Sequence, residues 1–155
     1  MDTLSPATLD LQLHPTPFEP LEVLAVWQRH MAAATGRLPA AASHFIGRVR
    51  PHTATGASVE ALELEHYPGM TERCLTELAR ASALRHGVTA VLVHHRIGRL
   101  APGEAIVLVA VAADHRGPTW RCGSEVLETL KHEAPFWKRE WSGGRGTWLA
   151  GNTPL

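Results

Sequence analysis

Cysteine is almost missing from this 155-residue chain: Cys74 and Cys122 stand far apart, outside any close pairing motif. That excludes a disulfide-stapled scaffold, and both read as buried thiols in a reducing cytoplasm. No run of about 18 apolar residues occurs, so no membrane-spanning helix is expected. The opening Met1-Asp2-Thr3-Leu4-Ser5-Pro6 lacks the basic and apolar regions of a signal peptide. Net charge is lacking too. Fifteen Lys and Arg balance fifteen Asp and Glu, which leaves no overall electrostatic footprint for nucleic acid or anionic lipid. Ten histidines are present, but none forms a His-Glu-x-x-His motif, and adjacent His94 and His95 point to opposite faces of a strand. No metal site is indicated.

What is there suits one globular domain, with 45% apolar and 19% charged residues. Residues 1–20, with Pro6, Pro15, Pro17 and Pro20, read as an extended lead-in or edge strand. Residues 21–150 form the domain and 151–155 a tail. Leu21, Leu24, Ala25, Gln28 and Met31 recur at helical spacing between Pro20 and Gly36. His44 to Arg50 reads as a strand, and Val59 to His66 as another with Leu62 and Leu64 inward. A helix follows Tyr67-Pro68-Gly69-Met70, with Thr71 as N-cap and Gly87 as its stop. Val88 to Ile97 and Ala105 to Ala113 pair antiparallel across a short turn, Gly98 to Gly103. A last helix, marked by Trp120, Gly123, Leu127 and Leu130, is expected to stop or kink at Pro135. The order argues an α+β fold: helices packed on a largely antiparallel sheet.

Two lysines bracket an apolar turn in Lys131-His132-Glu133-Ala134-Pro135-Phe136-Trp137-Lys138. A lysine beside Pro135, Phe136 and Trp137 is partly desolvated, which suits its ammonium to proton transfer or anion binding. The plainer reading is that the lysine stems snorkel out of a core. His115 and Arg116 follow the apolar strand just before the last helix, as an anion site or as a loop brace. Arg50, at a strand end, suits an anion or a surface ion pair.

Several segments, in order, resemble one known family. They are Phe45-x-Gly47-x-Val49-Arg50, Tyr67-Pro68-Gly69-Met70-Thr71-Glu72, His95-Arg96-Ile97-Gly98, His115-Arg116, and Leu130-Lys131-x-x-Ala134-Pro135-Phe136-Trp137-Lys138-Arg139-Glu140, with Trp148 beyond. From about Leu21 to Trp148 the chain resembles the large, catalytic subunit of molybdopterin synthase.

The resemblance implies an enzyme of molybdenum cofactor biosynthesis, a sulfur transferase that converts cyclic pyranopterin monophosphate into molybdopterin. The sulfur arrives as a thiocarboxylate on the C-terminal glycine of a small ubiquitin-like partner, so no cofactor of its own is implied. Two copies of the large subunit form the centre of a heterotetramer. Carried over by position, Lys131 and Lys138 are the catalytic lysines, Lys131 nearest the partner's glycine and Lys138 nearest the pterin. Arg50, His115 and Arg116 are the anion-binding residues, and Glu140 the nearby acid. The family often has an arginine just past the Trp148 region. Here Leu149-Ala150-Gly151-Asn152 comes instead, with Arg145 the nearest candidate. Two other classes stay open: a scaffold that only docks a ubiquitin-like protein, and a phosphoesterase built on His115 and Arg116.

Overall fold

Strand β6 (Ala105–Ala113) carries the architecture, because it is apolar at nearly every position and covered on both faces. In this computed structural model, which describes residues 5–150, β6 lies inside a four-stranded sheet. Its other members are β1 (Thr8–His14), β2 (Ala41–Arg48) and β4 (Ala90–Arg96), in the order β1-β4-β6-β2. Only the edge strand β1 runs parallel to its neighbour; β4, β6 and β2 are antiparallel.

Alternation along β6 sends its side chains to two different helix layers. Val107, Val109 and Val111 join Val91 and Val93 of β4 beneath α2 (Met70–His86) and α3 (Arg116–Glu133), meeting Leu75, Ala79, Cys122, Val126 and Leu130. Leu108, Ala110 and Ala112 face the other way, onto Trp27 and Met31 of α1 (Pro20–Thr35). Leu92 and Leu108 have no exposed surface, and each such burial contributes about 1.5–3 kcal/mol.

A second sheet, in the order β5-β3-β7-β8, is antiparallel throughout. It comprises β3 (Ala61–His66), β5 (Gly98–Leu100), β7 (Phe136–Ser142) and β8 (Arg145–Trp148). Leu62, Leu64 and Leu100 close its inner face with Val49 and Val59. The fold is α+β, as its sequence order indicates.

Four local expectations change. The Gly98–Gly103 connection is not a bare turn, since Gly98–Leu100 leaves the first sheet and pairs with β3 in the second. The apolar segment after Pro135 is the start of β7, and the glycine-rich stretch beyond it is the β7–β8 hairpin around Gly143 and Gly144. The N-cap of α2 is Gly69 rather than Thr71: its φ of 83° favours glycine, and its N–H donates to Glu72 Oε2 at 2.6 Å. Thr71 is buried at the second helical position, where its hydroxyl accepts from Tyr67 N and donates to Pro135 O, tying the start of α2 to the α3–β7 joint. Finally, α3 starts at Arg116, and Trp120 is 69% exposed instead of packed.

Both cysteines are free; Cys122 is buried and Cys74 partly exposed. The tail at 151–155 lies outside the described residues. Among the described residues no helix is long and apolar enough to cross a membrane, and none of their His, Cys, Asp and Glu side chains group as metal ligands.

Candidate active site

The two sheets and the C-terminal end of α3 meet around a cavity of about 350 Å³. Its apolar wall comes from Val49, Val59 and Val107 and from Phe45, Leu130 and Phe136; its polar groups are Arg48, Arg50, His95, Lys131, Lys138 and Glu140. Arg50, Lys131, Lys138 and Glu140 were expected from the sequence to work together, and the fold brings them to one place.

Each arrives there for a local reason. Lys131 occupies the last turn of α3, where a cation complements the helix dipole, and its Nζ lies 5.9 Å from the centre of the Phe45 ring. Lys138 and Glu140 alternate with Trp137, Arg139 and Trp141 along β7. Lys138 and Glu140 pair with Leu64 and Leu62 of β3, whose side chains point inward. The outward residues fix that register. Arg139 donates to Glu63 at 2.7 Å and lies against the rings of Trp141 and Trp148, while Trp141 Nε1 donates to the same carboxylate. A one-residue slip would turn Lys138 and Glu140 to the outside. Arg50 lies just past β2, next to a bulge where Gly47 pairs with Val107 but Arg48 with Ala105. Bulges bend a strand and re-aim the side chains beyond the bend.

Lys138 feels its surroundings most. Burial first, then the charges of Lys131 and Arg50, pull the Lys138 ammonium below its ordinary pKa. A lysine so placed gives up its proton more readily than one in water.

His115 and Arg116 are not brought to this cavity. They are exposed at the opposite end of α3, fifteen positions before Lys131 in the case of Arg116, which is about 22 Å of helix. His95 and Phe45 line the cavity without having been expected there. His95 sits on the same face of β4 as Val91 and Val93, so its inward direction was readable from the strand's alternation. Composition held a second unread signal. The chain has thirteen arginines but only two lysines, Lys131 and Lys138, and both stand in this cavity.

Comparison with known proteins gives consistent relatives. A family model described as MoaE protein matches residues 17–133. The molybdopterin synthase catalytic subunit of Ralstonia nicotianae is 44% identical over 109 residues, which is 70% of this chain and 61% of that protein, so the match spans less than two-thirds of that relative's length. Among solved structures, a molybdopterin biosynthesis MoaE protein from Burkholderia ambifaria shares 35% identity at a TM-score of 0.72, covering 95% of this chain and 91% of its own. A Helicobacter pylori chain, solved in a protein-protein complex of subunits 1 and 2 of molybdopterin-converting factor, has a TM-score of 0.73 at 19% identity, over 89% of this chain and 88% of its own. At that identity the likeness is one of fold.

Proposed function

This chain belongs to the MoaE protein family, and on that premise we propose that it is the catalytic subunit of a molybdopterin synthase. It converts cyclic pyranopterin monophosphate into molybdopterin, taking sulfur from the C-terminal thiocarboxylate of a small ubiquitin-like partner. The observation that carries this reading is the convergence of the chain's only two lysines, with Arg50 and Glu140, in one largely apolar cavity. Opening a cyclic phosphate and expelling water from the pterin framework need proton transfers, and Lys138 is tuned for them. The Lys131 ammonium stabilises the oxyanion that forms when the partner's terminal acyl carbon is attacked. The partner brings the nucleophilic sulfur, so neither cysteine serves and no resident cofactor is called for. Two free thiols suit a reducing cytoplasm.

The test is reconstitution. The purified chain, a thiocarboxylated small subunit and the cyclic pterin should yield the dithiolene product; phosphate release or ring opening without sulfur incorporation would overturn the reading.

His115 and Arg116 join this chemistry only from a second copy, because one helix holds them too far from Lys131. Light scattering should show a dimer of the chain alone and a two-plus-two assembly after mixing with the partner. A monomer with full activity at micromolar concentration would contradict it. Arg116→Ala should weaken pterin binding by roughly tenfold or more, through loss of a charge-assisted hydrogen bond to phosphate. A shared site also predicts complementation. Chains carrying Lys131→Ala and chains carrying Arg116→Ala, unfolded and refolded together, should recover up to about a quarter of wild-type activity, because each mixed dimer rebuilds one intact site. No recovery would place Arg116 outside the site.

A further inference from the structure

His95 is a polar group of the cavity that the proposed chemistry leaves without a task. It is 2% exposed, on a strand whose seven residues are all buried, His94 and Arg96 among them. Its ring lies flat on Phe136, with centroids 4.0 Å apart and planes 12° from parallel. Nδ1 stands 2.7 Å from the carbonyl oxygen of Arg96. A carbonyl can only accept, so Nδ1 carries the proton and Nε2 keeps its lone pair. Phe136 and Lys138 are two residues apart on β7 and share its inward face, so the imidazole is stacked on the strand that carries the lysine. Burial, with the charge of Lys138 as a further contribution, lowers the His95 pKa to about 4, and the ring is uncharged at neutral pH.

The other polar groups on the cavity wall are strongly biased. Arg48 lies at the bulge of β2, Arg50 just beyond it, and Lys131 comes from α3; all three are cationic donors. Glu140, on β7, supplies the carboxylate. An ammonium in such company needs an acceptor that does not itself add charge.

We propose that His95 is a positioning residue for Lys138, offering Nε2 as the acceptor of one ammonium hydrogen and so aiming the other two into the cavity. This rests on the proposed role of Lys138 in proton transfer. An acceptor held in one tautomer fixes the lysine head without competing for its proton. Stacking on Phe136 makes the strand that bears the lysine move with its acceptor.

The chain's two lysines make the test direct. Protein labelled with carbon-13 at the lysine ε-position gives two side-chain signals, assigned with Lys131→Arg, and each is followed against pH in the resting chain. In His95→Phe, which keeps a flat ring on Phe136 but has no acceptor, the Lys138 midpoint should fall by about one pH unit, a tenfold loss of proton affinity. His95→Gln, which restores an acceptor oxygen, should return it toward the wild-type value. An unchanged midpoint in His95→Phe would reduce His95 to a packing ring and overturn the proposal. The wild type supplies an independent check should the variants misfold. Long-range proton–nitrogen correlation should show Nδ1 protonated and Nε2 bare from pH 6 to 9, and an Nε2-protonated ring would overturn the proposal outright. None of these readouts requires turnover. Failure to form dithiolene leaves them interpretable, and a failed titration leaves the synthase reading intact.

Discussion

Replacing Lys131 by alanine should give a chain that folds, dimerises and binds its partner, yet transfers sulfur more than a hundredfold more slowly than wild type. The helix that carries Lys131 is held by Thr119, Cys122, Val126 and Leu130, all buried. Lys131 itself contributes an ammonium over the Phe45 ring, a charge in the cavity. Alanine is the best helix former, so little of the fold is at stake. In the proposed reaction, what goes is the cation that would stand near the partner's terminal glycine, where negative charge would develop. Lys131→Arg is the informative companion. It keeps the charge but cannot give up a proton, so its residual rate separates electrostatic stabilisation from proton transfer. Single-turnover kinetics with preloaded partner, alongside thermal melts, measure both. Near-normal turnover in the alanine variant would sink the assignment of Lys131.

Lys138→Met should abolish turnover to a similar degree and at the same time raise the melting temperature. The two effects share a cause. The folded chain holds the Lys138 ammonium less willingly than the unfolded chain does, because burial and two neighbouring cations lower its pKa from 10.5. Between that lowered value and 10.5 the unfolded state binds more protons, so stability rises with pH across the window. Below the window the destabilisation is fully present, and above it none remains. Methionine matches the stem and carries no charge. Its advantage over wild type should therefore be largest near neutral pH and fade as pH approaches 10.5. Melting curves at several pH values check this. A destabilised Lys138→Met chain at pH 7 would mean that the ammonium is well accommodated in the resting fold.

Those parts of the fold governed by short-range signals were legible. Pro20 and Gly36 bound α1, Gly87 ends α2 in the left-handed conformation, and β6 declares its double burial by being apolar throughout. What escaped depends on distant pairing or on a small angular difference. β5 is three residues long and exists because β3 is there to receive it. β7 mixes charge and aromatic on both faces, so its alternation does not sort into wet and dry. The buried stripe of α3 runs through Thr119, Cys122, Val126 and Leu130. Trp120 is one position off that stripe, a turn of about 100°, which is enough to put an indole into water.

The site divides in the same way. Lys131, Lys138, Arg50 and Glu140 stood out in the sequence because their segments match a family pattern, and the cavity that unites them is a product of the two sheets meeting. His115 and Arg116 stood out equally, but adjacency to a helix says nothing about which end of it faces a cavity. His95 went unread because a histidine inside an apolar strand looks like core until Phe136, forty-one positions on, is laid against it.

The scarcity of lysine has an experimental consequence. An endoproteinase that cuts only after lysine has two cleavage points in the whole sequence, one at the end of α3 and one on β7, both on the walls of the same cavity. Neither is a loop tip that such an enzyme could nick without local unfolding. Digestion of the native chain is therefore a clock for the opening of that single corner, silent to fraying anywhere else. A partner tail seated between the lysines would slow it, and the degree of slowing would measure how firmly the tail is held.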